Sequence, residues 1–287
     1  MDASLRRGNG GTGGHGESPS PRLPFSPSPN LALERWAIAL AIVALITPNA
    51  RAQIVTELEP ERPISMEDAH PLSYRAISGS ADWSYNWRQG RSDYGPGFSL
   101  SYGAARALEV GAAVRYVTSP GSNASRGISS GDLILHALYG ISAETASWPA
   151  VAVRVGVQLP TGLDSEGTDL RLGALATRTF DAFRLHANLT WTRLGDTAVK
   201  ERKDRLEGIA GIDLMTSRRG LTDSLFLADL VVRTNPLRGG RTIVTAEAGE
   251  RLRVGSRTVF FAGAGSDLNG ENYRARFRLR AGLTYVY

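Results

Sequence analysis

The chain has no cysteine among its 287 residues. Disulfide bridges and thiolate metal sites are therefore excluded. Lysine is nearly missing too: Lys200 and Lys203 are the only two, so arginine carries the positive charge, as a GC-rich coding sequence would produce. Large net charge is also lacking. The chain totals +5, and an N-terminal leader ending at Ala52 would take five basic and three acidic residues with it, leaving +3. That is too little for a nucleic-acid-binding surface. No apolar run after Ile46 approaches the ~20 residues of a spanning helix. Any membrane crossing must then be made by strands.

What is present begins at the C-terminus. In Arg276–Tyr287, Phe277, Leu279, Ala281, Leu283 and Tyr285 alternate with Arg276, Arg278, Arg280, Gly282, Thr284 and Val286. Side chains alternate across a strand, so one face is apolar and the other basic. Three arginines turned toward lipid would cost ~2–4 kcal/mol each near the bilayer midplane, which assigns the apolar face to lipid and the basic face to a lumen. Gly282, Tyr285 and the terminal Tyr287 resemble the C-terminal signal by which bacterial barrel-assembly machinery recognises outer-membrane barrels.

The other end carries the matching export signal. Trp36–Ile46 is an apolar run of signal-peptide length, Thr47-Pro48-Asn49 break it, and Ala50-Arg51-Ala52 forms a small-x-small cleavage pattern. Residues 1–30 are rich in Gly, Ser and Pro and lack the apolar side chains needed to fold. Translation is expected to begin near Leu31 or Leu33. Residues 1–52 thus read as leader and signal peptide, and residues 53–72, short, charged and proline-bearing, as a periplasmic lead-in to a barrel over residues 73–287.

Alternating segments recur at near-even spacing. Strands are expected at about Tyr74–Trp87, Gly97–Gly103, Leu108–Thr118, Asp132–Ile141, Ala150–Leu159 and Thr168–Phe180. Six more follow at Arg184–Leu194, Leu206–Leu214, Ser224–Thr234, Arg241–Glu250, Arg257–Gly265 and Arg274–Tyr287. The connections alternate between long (Ser119–Gly131, Pro160–Gly167, Gly195–Arg205) and short (Ala104–Ala107, Asp181–Phe183), as expected of outward loops and periplasmic turns. Two breaks in that pattern are Met215–Asp223, too long for a turn, and Asn235–Gly240, too short for a loop. Gln89–Pro96 reads as an outward loop. The fold class is all-β: a transmembrane antiparallel up-and-down barrel of about twelve strands in the outer membrane of a Gram-negative bacterium, in contact with lipid and lipopolysaccharide.

Gly131-Asp132-Leu133, Leu159-Pro160-Thr161-Gly162, Gly167-Thr168-Asp169 and the strand Phe183–Gly195 are similar to segments of an outer-membrane family named for a meta-pathway of phenol degradation. The resemblance covers roughly Tyr74–Tyr287. Members of that family are described as transporters, so the resemblance implies passage of small organic, including aromatic, solutes. Periodicity identifies no substrate. The alternative classes are a structural envelope barrel without transport and an outer-membrane lipid hydrolase.

A hydrolase needs a serine within hydrogen-bond reach of a histidine. None of His70, His136 and His186 has a serine two residues along its strand, which leaves only a cross-strand partner. His186 and Asn188 share a face and read as lumen-lining. No His/carboxylate spacing marks a metal site, and no cofactor is expected. Asn123-Ala124-Ser125 matches a glycosylation sequon without meaning in a bacterial envelope. The remaining lumen-facing candidates are Arg115, Arg154, Arg171, Arg184, Arg276, Arg278 and Arg280. Two roles are open to them: pairing with inward carboxylates such as Glu109, Asp169, Asp229 and Glu247, or a positive field that favours anionic solutes. Pairing is the expected role, because a lumen of this strand number is narrow.

Overall fold

The computed structural model describes residues 63–88, 91–118, 128–129, 131–162, 167–197, 199–219, 222–269 and 275–287. The signal-peptide pattern with Ala50 and Ala52 lies outside the described residues. Twelve long strands make the barrel: β1 Ile77–Arg88, β2 Arg91–Ala105, β3 Leu108–Arg115, β4 Leu133–Ser142, β5 Ala150–Leu159 and β6 Asp169–Thr179. They continue as β7 Phe183–Arg193, β8 Asp204–Arg219, β9 Thr222–Arg233, β10 Ile243–Val254, β11 Thr258–Asp267 and β12 Ala275–Val286. Each is antiparallel to its sequence neighbours, and β12 pairs back onto β1, from Ser78↔Val286 to Arg88↔Ala275, closing the sheet. A two-residue ladder, Val117–Thr118 with Ile128–Ser129, extends the β3–β4 connection.

Closure removes the sheet edges and satisfies the backbone groups that lipid would leave unpaired. The alternation then sorts the side chains. Outward residues such as Trp83, Phe98, Leu135, Val155, Leu172, Leu189 and Leu279 are exposed, Leu189 at 49%. Their inward neighbours are buried: Asp82, Ala152, Thr177 and His186, the last at 4%. An apolar exterior around a polar interior inverts the pattern of a water-soluble sheet and suits a bilayer.

All twelve expected strands are present, β5 with the expected ends and the others with shifted ones. β2 starts at Arg91 instead of Gly97, so the expected loop Gln89–Pro96 is largely strand. Pro96 stands opposite Trp83 of β1, and on its other side its carbonyl accepts the Tyr116 N–H just past the last β2–β3 partner pair, Gly97↔Arg115. Met215–Asp223, expected as a long turn, is also strand: β8 and β9 run on to Arg219↔Thr222. The links at 106–107, 143–149, 180–182 and 255–257 lie at one end of the barrel, called here the short-turn end. The links at 116–132, 160–168, 194–203 and 234–242 define the long-connection end.

Residues 63–72, expected in the periplasm, run inside the barrel. Pro63 lies against Gly249 and Gly263 at mid-height, and the segment descends to Leu72, whose N–H is held by Glu109 at the start of β3. Ile64 and Met66 join Ile209, Leu227 and Val231 in one buried apolar cluster, and Ala69 joins Leu138, Ala150, Ala152 and Leu175 in another. Gly211 and Gly263 make room. A Cβ on the first would run into Met66 Sδ and on the second into the Pro63 carbonyl, so only glycine allows this approach.

Candidate functional site in the barrel lumen

The lumen-facing side chains read the backbone of residues 63–72 almost residue by residue. Glu247 Oε2 accepts the Ser65 N–H at 2.7 Å, and Asp229 Oδ2, directly across the ladder from Glu247, accepts that of Met66 at 2.8 Å. Asn188 makes a double contact with Glu67, its Oδ1 accepting the N–H at 2.8 Å and its Nδ2 donating to the carbonyl at 2.9 Å. Thr177 Oγ1 accepts the Ala69 N–H at 3.0 Å and Glu109 Oε2 that of Leu72 at 3.1 Å. An irregular segment enclosed without ladder partners needs such acceptors, since buried backbone donors are costly to leave unpaired.

The segment's own carboxylates meet the arginines near it. Arg154 Nη1 donates to Glu67 Oε2 at 2.5 Å. Arg184 binds Asp213 with two nitrogens, at 3.1 and 2.6 Å, and reaches Asp68 with the third at 3.0 Å. His186 lies between Thr177 Oγ1, 3.1 Å from Nδ1, and Asp213 Oδ2, 3.1 Å from Nε2. His136 stands near Ser101 and Glu109, at 3.5 and 3.6 Å, both through Nε2.

Arg280 forks onto Asp82 with two bonds of 3.0 Å. Arg115 shares that carboxylate at 3.1 Å and donates to Ser84 Oγ at 2.8 Å. Arg278 donates to Asp267 at 2.6 Å and to Glu247 at 3.4 Å. Arg171 donates to the Gln158 side-chain carbonyl at 2.9 Å. Arg276 lies on β12, and its side chain is outside the described residues. Of the four carboxylates expected to pair with arginine, Asp229 and Asp169 accept backbone N–H groups, Asp169 from Gly195 at 3.0 Å. Glu109 serves Leu72 and His136, and only Glu247 also reaches an arginine.

The carboxylates that do most of the pairing, Asp82, Asp213 and Asp267, are not among those the sequence singles out. Asp82 has a signal, since it shares a face with Ser80 and Ser84 on an alternating strand. Its pairing has none, because Arg280, legible as a lumen residue, belongs to the last strand and is brought near Asp82 only by closure. At the C-terminus, Gly282 leaves space occupied by the Phe261 ring, Tyr285 projects outward, and Tyr287 exchanges two backbone bonds with Ile77.

Beyond the segment the lumen holds two cavities. A cavity of about 270 Å³ lies beside Ile64, Ser65, Asn86 and Arg115. A larger one of about 600 Å³ at the long-connection end is lined by Arg171, Thr192, Arg205, Glu207, Arg233 and Arg278, among others. Among the described residues, no group of three or more His, Asp or Glu is placed to hold a metal ion.

A closed single-chain antiparallel barrel, apolar outside and polar within, is the architecture of outer-membrane β-barrel proteins. No protein-family model matches the chain, and no curated protein sequence matches it. Among solved structures it is similar to an outer-membrane channel from Pseudomonas putida F1, with 14% identity and a TM-score of 0.61 over 78% of this chain and 100% of that one. It is also similar to the β domain of the Bordetella autotransporter BrkA, with 15% identity and a TM-score of 0.48 over 74% of this chain and 100% of that one. For the NanC porin the values are 12% and 0.47, over 71% of this chain and 98% of that one. At such identities the likeness concerns the fold.

Proposed function

We propose that the chain is an outer-membrane channel for small organic solutes, of the kind named for a meta-pathway of phenol degradation. The signal peptide would direct export and be cleaved after Ala52, and assembly would follow recognition of Gly282, Tyr285 and Tyr287. The observation that carries the reading is a pair of lumen cavities, one of about 600 Å³ at the long-connection end and one of about 270 Å³ against Pro63, Ile64 and Ser65, the start of a segment held by hydrogen bonds and ion pairs. Such contacts break and re-form without covalent change, so a path past residues 63–72 requires only their displacement. The likeness to an outer-membrane channel supports the same reading.

The structural-barrel alternative draws on the filled half of the lumen. Swelling of protein-loaded liposomes in small organic solutes separates the two. Solute-dependent swelling, faster when Asn188→Ala loosens the segment, is the expected result. No swelling by either protein would favour the structural barrel. The hydrolase alternative has two cross-strand sets: Ser101–His136–Glu109, in which serine and carboxylate both approach Nε2 so that the ring does not bridge them, and Thr177–His186–Asp213, in which Thr177 is fully buried and its hydroxyl accepts the Ala69 N–H. A nucleophile so enclosed offers a substrate carbonyl no approach.

A further inference from the structure

Four guanidinium groups line the larger cavity, and they are unequally engaged. Arg233 and Arg278 both donate to the fully buried Asp267, at 3.2 and 2.6 Å. Arg171 donates to a neutral amide carbonyl, that of Gln158. Arg205 meets Glu201 only at 3.9 Å, and its Nε is buried without a hydrogen-bond partner. Arg171 and Arg205 stand in one row, because each is the ladder partner of Thr192 on the strand between them. Their Cα atoms are therefore two strand spacings apart, roughly 10 Å, with a hydroxyl midway.

Two guanidinium forks flanking a hydroxyl match the donor needs of a carboxylate. Two acidic residues line the same cavity: Asp169, which accepts the Gly195 N–H, and Glu207, which lies across the ladder from Arg233. The same cavity is lined by Leu194, Pro236 and Ile243, which supply apolar surface. We propose that this cavity binds a small organic anion, with Arg171 and Arg205 clamping its carboxylate across Thr192 and Leu194, Pro236 and Ile243 packing its apolar body. The site rests on the channel reading and deepens it by naming the solute class, but binding is measured without transport.

The test is calorimetric titration of the folded full-length barrel in detergent, at low ionic strength, with benzoate, acetate and benzyl alcohol. Saturable benzoate binding is expected, with acetate, which lacks the ring, and benzyl alcohol, which lacks the charge, each weaker by roughly tenfold. Arg171→Gln/Arg205→Gln should weaken benzoate by on the order of tenfold or more. Equal binding of benzoate and benzyl alcohol, or undiminished binding by the double variant, overturns the site. If the double variant does not fold, Arg171→Gln alone gives the same test with a severalfold loss. Liposomes that swell with a barrel that does not bind benzoate would overturn the site and leave the channel reading standing. Benzoate binding by a barrel that passes nothing would do the reverse.

Discussion

Arg184 and Arg171 sit on adjacent strands and face one lumen, yet they live in different chemistry. Arg184, toward the short-turn end, is buried with all three nitrogens on carboxylates, two on Asp213 and one on Asp68. Arg171, toward the long-connection end, borders open space and donates to a neutral amide. The difference is made by residues 63–72, which enter one half of the lumen and bring Glu67 and Asp68 with them. Where the segment lies, arginine serves as a structural partner. Where it does not, Arg233 and Arg278 share the buried Asp267 and Arg171 is left facing a cavity. An identical residue type on one continuous face thus takes two roles, decided by what shares its space.

The strongest way to break this contrast is to remove Asp213. Asp213→Ala removes the carboxylate that two Arg184 nitrogens and His186 share. Loss of one partner of a buried pair costs ~3–5 kcal/mol, less where water enters. The temperature at which the folded, fast-migrating gel band is lost should fall markedly, and an unchanged temperature would mean that this half of the lumen is not held by its ion pairs. Next in size is the contrast between faces. Leu189→Arg places a charge on the outer belt and should cost ~2–4 kcal/mol near the midplane. Thr190→Arg, one residue on, points into the larger cavity and should cost far less. Equal losses in urea titrations of the two lipid-folded variants would argue against the register of β7.

Asn188→Ala sharpens the comparison by releasing the segment alone. It removes two hydrogen bonds to Glu67, worth about 1–3 kcal/mol together. Residues 63–72 should then become open to protease while the strands remain protected. Protection equal to wild type would show that Asn188 does not hold the segment. The smallest effect is expected for Arg171→Gln, within about 0.5 kcal/mol, because the arginine gives up only a neutral partner. A loss as large as that of Asp213→Ala would erase the distinction between the two halves.

Much of this fold is legible in the amino-acid order. β5 matches its expected bounds, Ala150–Leu159, because Val151, Val153, Val155, Val157 and Leu159 alternate without interruption. β2 is longer than its alternation suggests because Gly95-Pro96-Gly97 is locally a breaker sequence, while pairing with β1 runs on through Pro96 to Arg91. β8 and β9 also outrun their patterns. Ser217, Arg218 and Arg219 offer no apolar alternation, while hairpin pairing continues regardless of polarity. Of the site, Arg171 is legible as a lumen residue from the face it occupies. Arg205 is not, since it ends a polar stretch that reads as a loop.

What the amino-acid order by itself determined is the barrel: strand positions, the lipid and lumen faces, and the inward direction of the arginines. These depend on a two-residue period and on the cost of charge in hydrocarbon, both local properties of the chain. What only the tertiary structure decided is which partner each inward group meets. Asp82 faces Arg280 because β1 closes on β12, and Glu67 faces Arg154 because a segment that reads as a solvated lead-in lies inside the barrel. Contacts between residues so far apart in sequence arise from closure and enclosure, and neither leaves a periodic mark along the chain.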